Sequence, residues 1–286
     1  MTVLLFAGLT LRELARRRLV AAVALLTLAI VAFTAWGLQR LATAVVDGAP
    51  IADPGKHAAA AGIVILLAFL FSFVLALGAA LVGAPAMAES IANGEILAVL
   101  ARPLRRADVA LGRWLGTVVA LAIYVAVAGG VELLVVRVTT GYVPPRPLEA
   151  LGYLCALAAV VTTAAVALAS RLPALAAGIV AALLFGLAWI GGIMESIGLA
   201  LGNERLADAG TVVALVFPSD ALWRGALYAL QPAVFTAVAA NANGSGTAVN
   251  PFSVTSPPPP AMLAWAIGWV VVVLVAGIAA FRTRDL

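Results

Sequence analysis

AAAAGIVILLAFLFSFVLALGAALVGA, residues 58–84, contains no charged side chain. A helix rises about 1.5 Å per residue, so roughly 20 such residues cross the ~30 Å hydrocarbon layer of a bilayer. The run has no two-residue polar alternation, which argues against a barrel strand. In lipid its backbone can pair its own N–H and C=O groups only as a helix. Working outward, stretches 19–38, 114–136, 151–169, 174–201 and 261–281 read the same way. The expected fold is an all-α membrane protein with six transmembrane helices, as one domain over 1–286.

Composition leads to the same class. The chain is 64% hydrophobic and 10% charged, against roughly a quarter charged in a soluble domain. Cys155 and His57 are the only residues of their kinds. No internal disulfide and no zinc, haem or copper cage is therefore expected from this chain alone. The net charge of +4 is carried by basic residues interleaved with the spans, which reads as membrane topology rather than nucleic-acid binding. The basic lead from Arg12 to Arg18 precedes a run too long for a signal-peptide core, so an uncleaved N-terminus is expected.

Arginine placement sets the expected orientation. With the N-terminus inside, the inner segments hold Arg12, Arg16, Arg17, Arg18, Arg102, Arg105, Arg106, Arg113, Arg171, Arg282 and Arg284. The outer ones hold Arg40, Lys56, Arg137, Arg146, Arg205 and Arg224. The excess inside places both termini in the cytoplasm and the chain, multi-pass, in the cell (cytoplasmic) membrane.

Between the spans, residues 1–18 read as an interfacial helix, with Val3, Ala7, Leu11 and Leu14 on one face and Arg12 and Arg16 turned away. Leu5, Phe6 and Leu9 fall on the other side and break the pattern, so a plain basic flank reads equally well. The inner loop 85–113 is expected to carry a helix over 87–101, ended by Pro103 and followed by Arg105 and Arg106. A tight turn at Arg171 and Pro173 joins the fourth and fifth spans. The outer segment 202–260 is expected to hold short helices. In it Ser219 is a candidate cap, and Leu222, Trp223, Ala226, Leu227 and Leu230 line one face. From Asn241 to Pro260 it reads as a solvated loop that its final prolines stiffen.

Few residues carry chemistry. Lys56 is the only lysine, and no GxxxxGK[ST] run occurs, so ATP hydrolysis through a P-loop is not expected of this chain. Glu132 and Glu195 fall inside spans, each in the outer third. Either they line the outer mouth of a pathway or they are interfacial carboxylates, Glu132 beside Arg137. Gly129-Gly130, Gly186 and Gly191-Gly192 permit close helix approach, at a dimer seam or within one protomer. Trp265 and Trp269 read as interface anchors.

The run GEILAVLARPLRRADVALGRWLG, Gly94 through Gly116, resembles the inner loop of ABC-2 type transporter permeases. The matching positions are Gly94, Leu97, Leu100, Pro103, Arg106, Gly112, Arg113 and Gly116. Leu11 to Leu14 and Phe281 to Arg284 are similar to that family's ends. Pro218-Ser219-Asp220 with Trp223-Arg224 resembles an outer-loop motif of the branch serving copper-enzyme (nitrous oxide reductase) maturation. The acids before the loop glycine depart from the family pattern, standing here as Glu89 and Glu95.

The resemblance implies an ABC-2 (type V exporter-like) permease fold, an export pathway formed by two copies of the chain, and two ABC ATPase subunits docked below. ATP and magnesium would lie on those subunits, with no cofactor in this chain. An extracytoplasmic accessory protein is a further implied partner. It also implies a coupling role for Glu89, Gly94, Glu95, Leu97, Leu100, Arg102, Pro103, Arg105 and Arg106. Two other readings stay open: an ion-coupled secondary carrier, for which no midplane coupling residue is found, and a membrane scaffold that transports nothing.

Overall fold

Helix formation follows the apolar runs and overshoots them at most ends. The computed structural model describes residues 2–16, 18–46, 49–50, 52–92, 105–235 and 254–283. In order these form α1 (Thr2–Arg16), α2 (Arg18–Ala42), β1 (Val45–Val46), β2 (Ala49–Pro50), α3 (Asp53–Ala92) and α4 (Arg106–Thr140). Next come α5 (Pro147–Ala169), α6 (Ala174–Ala200), α7 (Glu204–Val216), α8 (Ser219–Leu230) and α9 (Pro260–Arg282). The strands form one antiparallel ladder, Val45 opposite Pro50 and Val46 opposite Ala49. Among the described residues six helices, α2 to α6 and α9, are long and apolar enough to cross a membrane.

Local chemistry explains the ends. α4 stops at Gly141, whose φ of 72° is left-handed and whose N–H returns to the Arg137 carbonyl, a geometry that favours glycine. α5 and α9 begin on Pro147 and Pro260, where a missing N–H costs nothing. Pro259 is extended, as the proline run suggested. Asn203 caps α7 by accepting a hydrogen bond from the Leu206 N–H at 3.2 Å.

α3 occupies the centre and packs on α4, α5 and α6, while α2 leans mainly on α4. The seams are built from small residues: Ala76, Ala79, Ala80 and Ala84 of α3, and Ala164 and Ala165 of α5, are buried. Lipid supplies no hydrophobic drive between helices, so close van der Waals contact must hold them. Gly198 and Gly210 let α6 and α7 touch backbone to backbone, and Gly191 faces Val213. The glycine pair at 191–192 therefore serves packing inside the protomer.

Four expectations need correction. The helix expected over 87–101 does not start anew at 87: α3 continues through Pro85 to Ala92, about 60 Å at the helical rise. Proline removes one hydrogen bond, and the alanines and methionine beyond it favour helix. Likewise the loop boundary at 113 moves back, because α4 begins at Arg106. Ser219 does not cap α8. The cap position is Pro218, and the buried Ser219 hydroxyl has no partner among the described residues. Finally, α8 is not one-sided: Ser219, Asp220, Ala221, Gly225 and Ala229 are buried along with the expected apolar face.

α7 and α8 meet at a 99° bend. Neither is long enough alone to span, and α7 packs against α6 while α8 packs against α5 and α6. The break exposes the last carbonyls of α7, which lack helical partners. The indole N–H groups of Trp265 and Trp269 donate to Leu215 O and Val216 O, each at 2.9 Å. These tryptophans thus close a helix end, a task beyond interface anchoring.

Candidate functional site

Charged and polar side chains gather in three places. The first is the basal end, where α1, the end of α3, the start of α4 and the end of α9 converge. α1 buries Phe6, Ala7, Thr10 and Leu14 against α4. A side chain at Gly112 would strike Phe6, and a Cβ at Gly116 would stand 2.7 Å from Ala7 O. Phe6, which the sequence reading put on the far face, is thus part of the seam. Leu4, Leu5 and Leu9 remain exposed, so α1 has one face for α4 and another for lipid. This double face is why its periodicity read as imperfect.

Arg113 ties this end together. Its guanidinium donates to Ala86 O of α3 at 2.9 Å and pairs with Glu13 of α1 at 3.5 Å. Arg106 donates to Arg282 O at 3.3 Å, a carbonyl at the end of α9, and lies over the Phe281 ring. Arg171 donates to the Thr283 hydroxyl. Arg105 precedes α4 and is exposed. Glu89 lies in the last helical residues of α3. Gly94, Glu95, Leu97, Leu100, Arg102 and Pro103 lie outside the described residues, as does most of the loop 241–260.

At the distal end, Arg224 of α8 meets two carboxylates. Its Nε lies 2.7 Å from Asp220 and its Nη2 lies 3.0 Å from Glu195 of α6. The same guanidinium donates to Gly192 O and to Ser196 Oγ, and Thr211 of α7 donates to Glu195 at 3.1 Å. Asp220 is buried, and its carboxylate sits where a side chain at 192 would be. Only glycine admits it. Pro218 is buried at the head of α8. Pro218 and Asp220 are therefore buried and Arg224 half-buried, and the cluster around Arg224 joins α6, α7 and α8. Sequence reasoning missed the link to Glu195. The signal lay in Asp220 and Arg224 at i,i+4, with a lone carboxylate on α6 in need of a cation.

The turn 141–146 braces the other end of α8. Tyr142 donates its hydroxyl to Leu230 O at 3.2 Å, and burial pushes that hydroxyl's pKa up to about 12, so it stays a donor. Arg146 pairs with Glu149 at 3.4 Å and lies 4.6 Å from the Tyr228 ring centre.

The third place is a cavity of about 70 Å³ between α2, α3, α4 and α5, lined also by Leu230 of α8. Glu132 lines it. The expected neighbour Arg137 is not its partner. Thr34 of α2 donates to Oε1 at 3.4 Å, and Oε2 is buried without a partner. Tyr124 and Thr27, deeper in the cavity, bond to each other at 2.9 Å. Glu132 and Glu195 are thus far from alike: one faces an apolar cavity, the other is neutralised in a cluster.

Among the described residues, six bilayer-length helices around a small-residue core, with a broken helical pair held by a partly buried charge cluster, define a multi-pass α-helical membrane protein. A family model described as ABC-2 family transporter protein matches residues 14–286, and the chain belongs to that family. It is accordingly the transmembrane permease component of an ABC transporter, a membrane part that is not itself catalytic and that works with an ABC ATPase subunit. A search of curated proteins finds no match to the chain.

Proposed function

We propose that two copies of this chain form an export pathway across the cytoplasmic membrane, opened and closed by two separate ATPase subunits at the basal end. The family match over 14–286 carries the reading. The geometry of the basal end supports the coupling. The segment 93–104 joins α3 to α4, and Arg113 ties those two helices to α1. A push on that segment would move three helices together, and through Arg106 the end of α9 as well. In this reading Glu89, Gly94, Glu95, Leu97, Leu100, Arg102, Pro103 and Arg105 supply the contact with the ATPase, the apolar ones filling a groove and the arginines meeting acids. Nucleotide-driven motion of the partner would then switch the pathway between two states.

The branch serving copper-enzyme maturation is supported by the motif at Pro218 to Arg224 and by the length and span spacing of the chain. The motif's Asp220 and Arg224 are engaged inside the protomer, so recognition of an accessory protein would fall to other distal residues.

The test is composition after gentle solubilisation of native membranes. Equal copies of this chain and a P-loop protein, two of each by mass measurement, are expected, with ATP hydrolysis that this chain alone lacks. Isolation of the chain by itself, with gradient-driven transport in vesicles free of ATP, would overturn the reading.

A further inference from the structure

The Glu132 cavity is not explained by the pathway, and its hydrogen-bond accounting is one-sided. Thr27 donates its single proton to Val23 O at 2.8 Å, so the Tyr124 hydroxyl is the donor to Thr27. Both hydroxyl protons are then spent. Thr34 reaches only Oε1, by a long bond. No cationic side chain among the described residues pairs with Glu132. Glu132 lines the cavity, and its buried Oε2 is an acceptor that lacks a donor among the described residues. All other lining residues are apolar, among them Phe71, Val74, Leu133 and Leu154.

Water is a poor occupant, because a buried water needs 2–4 polar partners. Glu132 and the spent Tyr124–Thr27 pair are eight residues apart on α4, about 12 Å. What fits is a donor carried on an apolar body. A carboxylate held in lipid is costly unless a cation meets it, so charge complementarity selects an ammonium over a hydroxyl. The outer wall of the cavity is α2, whose Leu25, Leu28 and Phe33 are exposed and which touches α3 little. A ligand dissolved in the membrane therefore has only one loosely packed helix to pass.

We propose that this crevice binds a membrane-borne amphiphile, its primary ammonium held by Glu132 and its alkyl chain lying along Phe71 and Tyr124. The site lies within one protomer, and its occupancy does not depend on the ATPase.

The probe is a dodecylamine bearing a diazirine, added to the full-length chain in nanodiscs of phosphatidylcholine and phosphatidylglycerol, which have no primary amine. Saturable photolabelling on α2 to α5 is expected, displaced by dodecylamine and at least roughly tenfold less well by dodecanol, since a charge-assisted hydrogen bond is lost. Glu132→Gln is expected to weaken labelling by a similar factor, and Ala128→Leu to weaken it by filling space while the carboxylate stays. Replacing phosphatidylcholine with phosphatidylethanolamine separates the sources. Displacement of the probe marks a resident lipid, and undiminished labelling marks a free amphiphile. Equal displacement by dodecanol, labelling outside α2 to α5, or unchanged labelling of a monodisperse Glu132→Gln protein would each overturn the proposal.

Discussion

Arg224 holds Asp220 from its own helix and Glu195 from another, so its removal leaves buried Asp220 and half-buried Glu195 without their shared cation. Breaking a buried ion pair from one side is far more damaging than removing the pair, because the remaining charge stays desolvated. Arg224→Ala is expected to destabilise the folded chain by about 2 kcal/mol, less than for a fully buried pair, read as a fall in unfolding temperature in detergent. Adding Glu195→Gln and Asp220→Asn to that variant is expected to recover part of the loss. If the triple variant is no more stable than the single one, the carboxylates left without their cation are not the cause. Glu132 shows the opposite logic. Its carboxylate has one weak donor, and that deficit is what makes its cavity a binding site.

Among the elements, the broken pair α7–α8 depends on close approach and on closed helix ends. Gly210 lies against the backbone at Glu195, whereas Gly186 has open space around it. Gly210→Ala is expected to lower the unfolding temperature sharply. Gly186→Ala is expected to hold or raise it, since alanine favours helix by about 1 kcal/mol over glycine. Equal effects at the two sites would show that the α6–α7 contact is looser than described. At the bend, replacing Trp265 and Trp269 together with Phe keeps the rings and leaves Leu215 O and Val216 O unpaired. A loss of about 2 kcal/mol is expected, with faster amide exchange confined to α7, α8 and the start of α9. Exchange unchanged there would rule out the indoles as the closing groups.

At the scale of the whole molecule, Arg113 adds a polar tie between α1, α3 and α4 to the packing of Phe6, Ala7, Thr10 and Leu14 at the basal end. Arg113→Ala is expected to speed amide exchange in residues 2–16 by about tenfold, a local opening worth ~1.4 kcal/mol. Exchange in α5, at the centre of the bundle, should stay as it was. Uniform acceleration through the chain would mean that the arginine supports global stability and not this junction.

The six spans were legible because each is a continuous apolar run, and a helix is the only local way to satisfy its backbone in lipid. Basic flanks, the short turn at Arg171 and the capping glycine and prolines act within a few residues, so the linear sequence holds them too. The family was legible for the same reason, through the local order of Gly94, Pro103, Arg106 and Gly112. What the sequence left open depended on distance in space. Periodicity placed Phe6 on the wrong face because it cannot distinguish a helix with protein on one side and lipid on the other. Glu195 read as a pathway-lining or an interfacial acid, and Pro218 to Arg224 as the start of a short helix in the outer segment, since nothing along the chain joins residue 195 to residue 224. Sequence alone determined which segments must be helices in a bilayer. Only the tertiary structure decided which buried charges are neutralised and which carboxylate is left facing a cavity, because charge pairing depends on angstrom separations that folding alone sets.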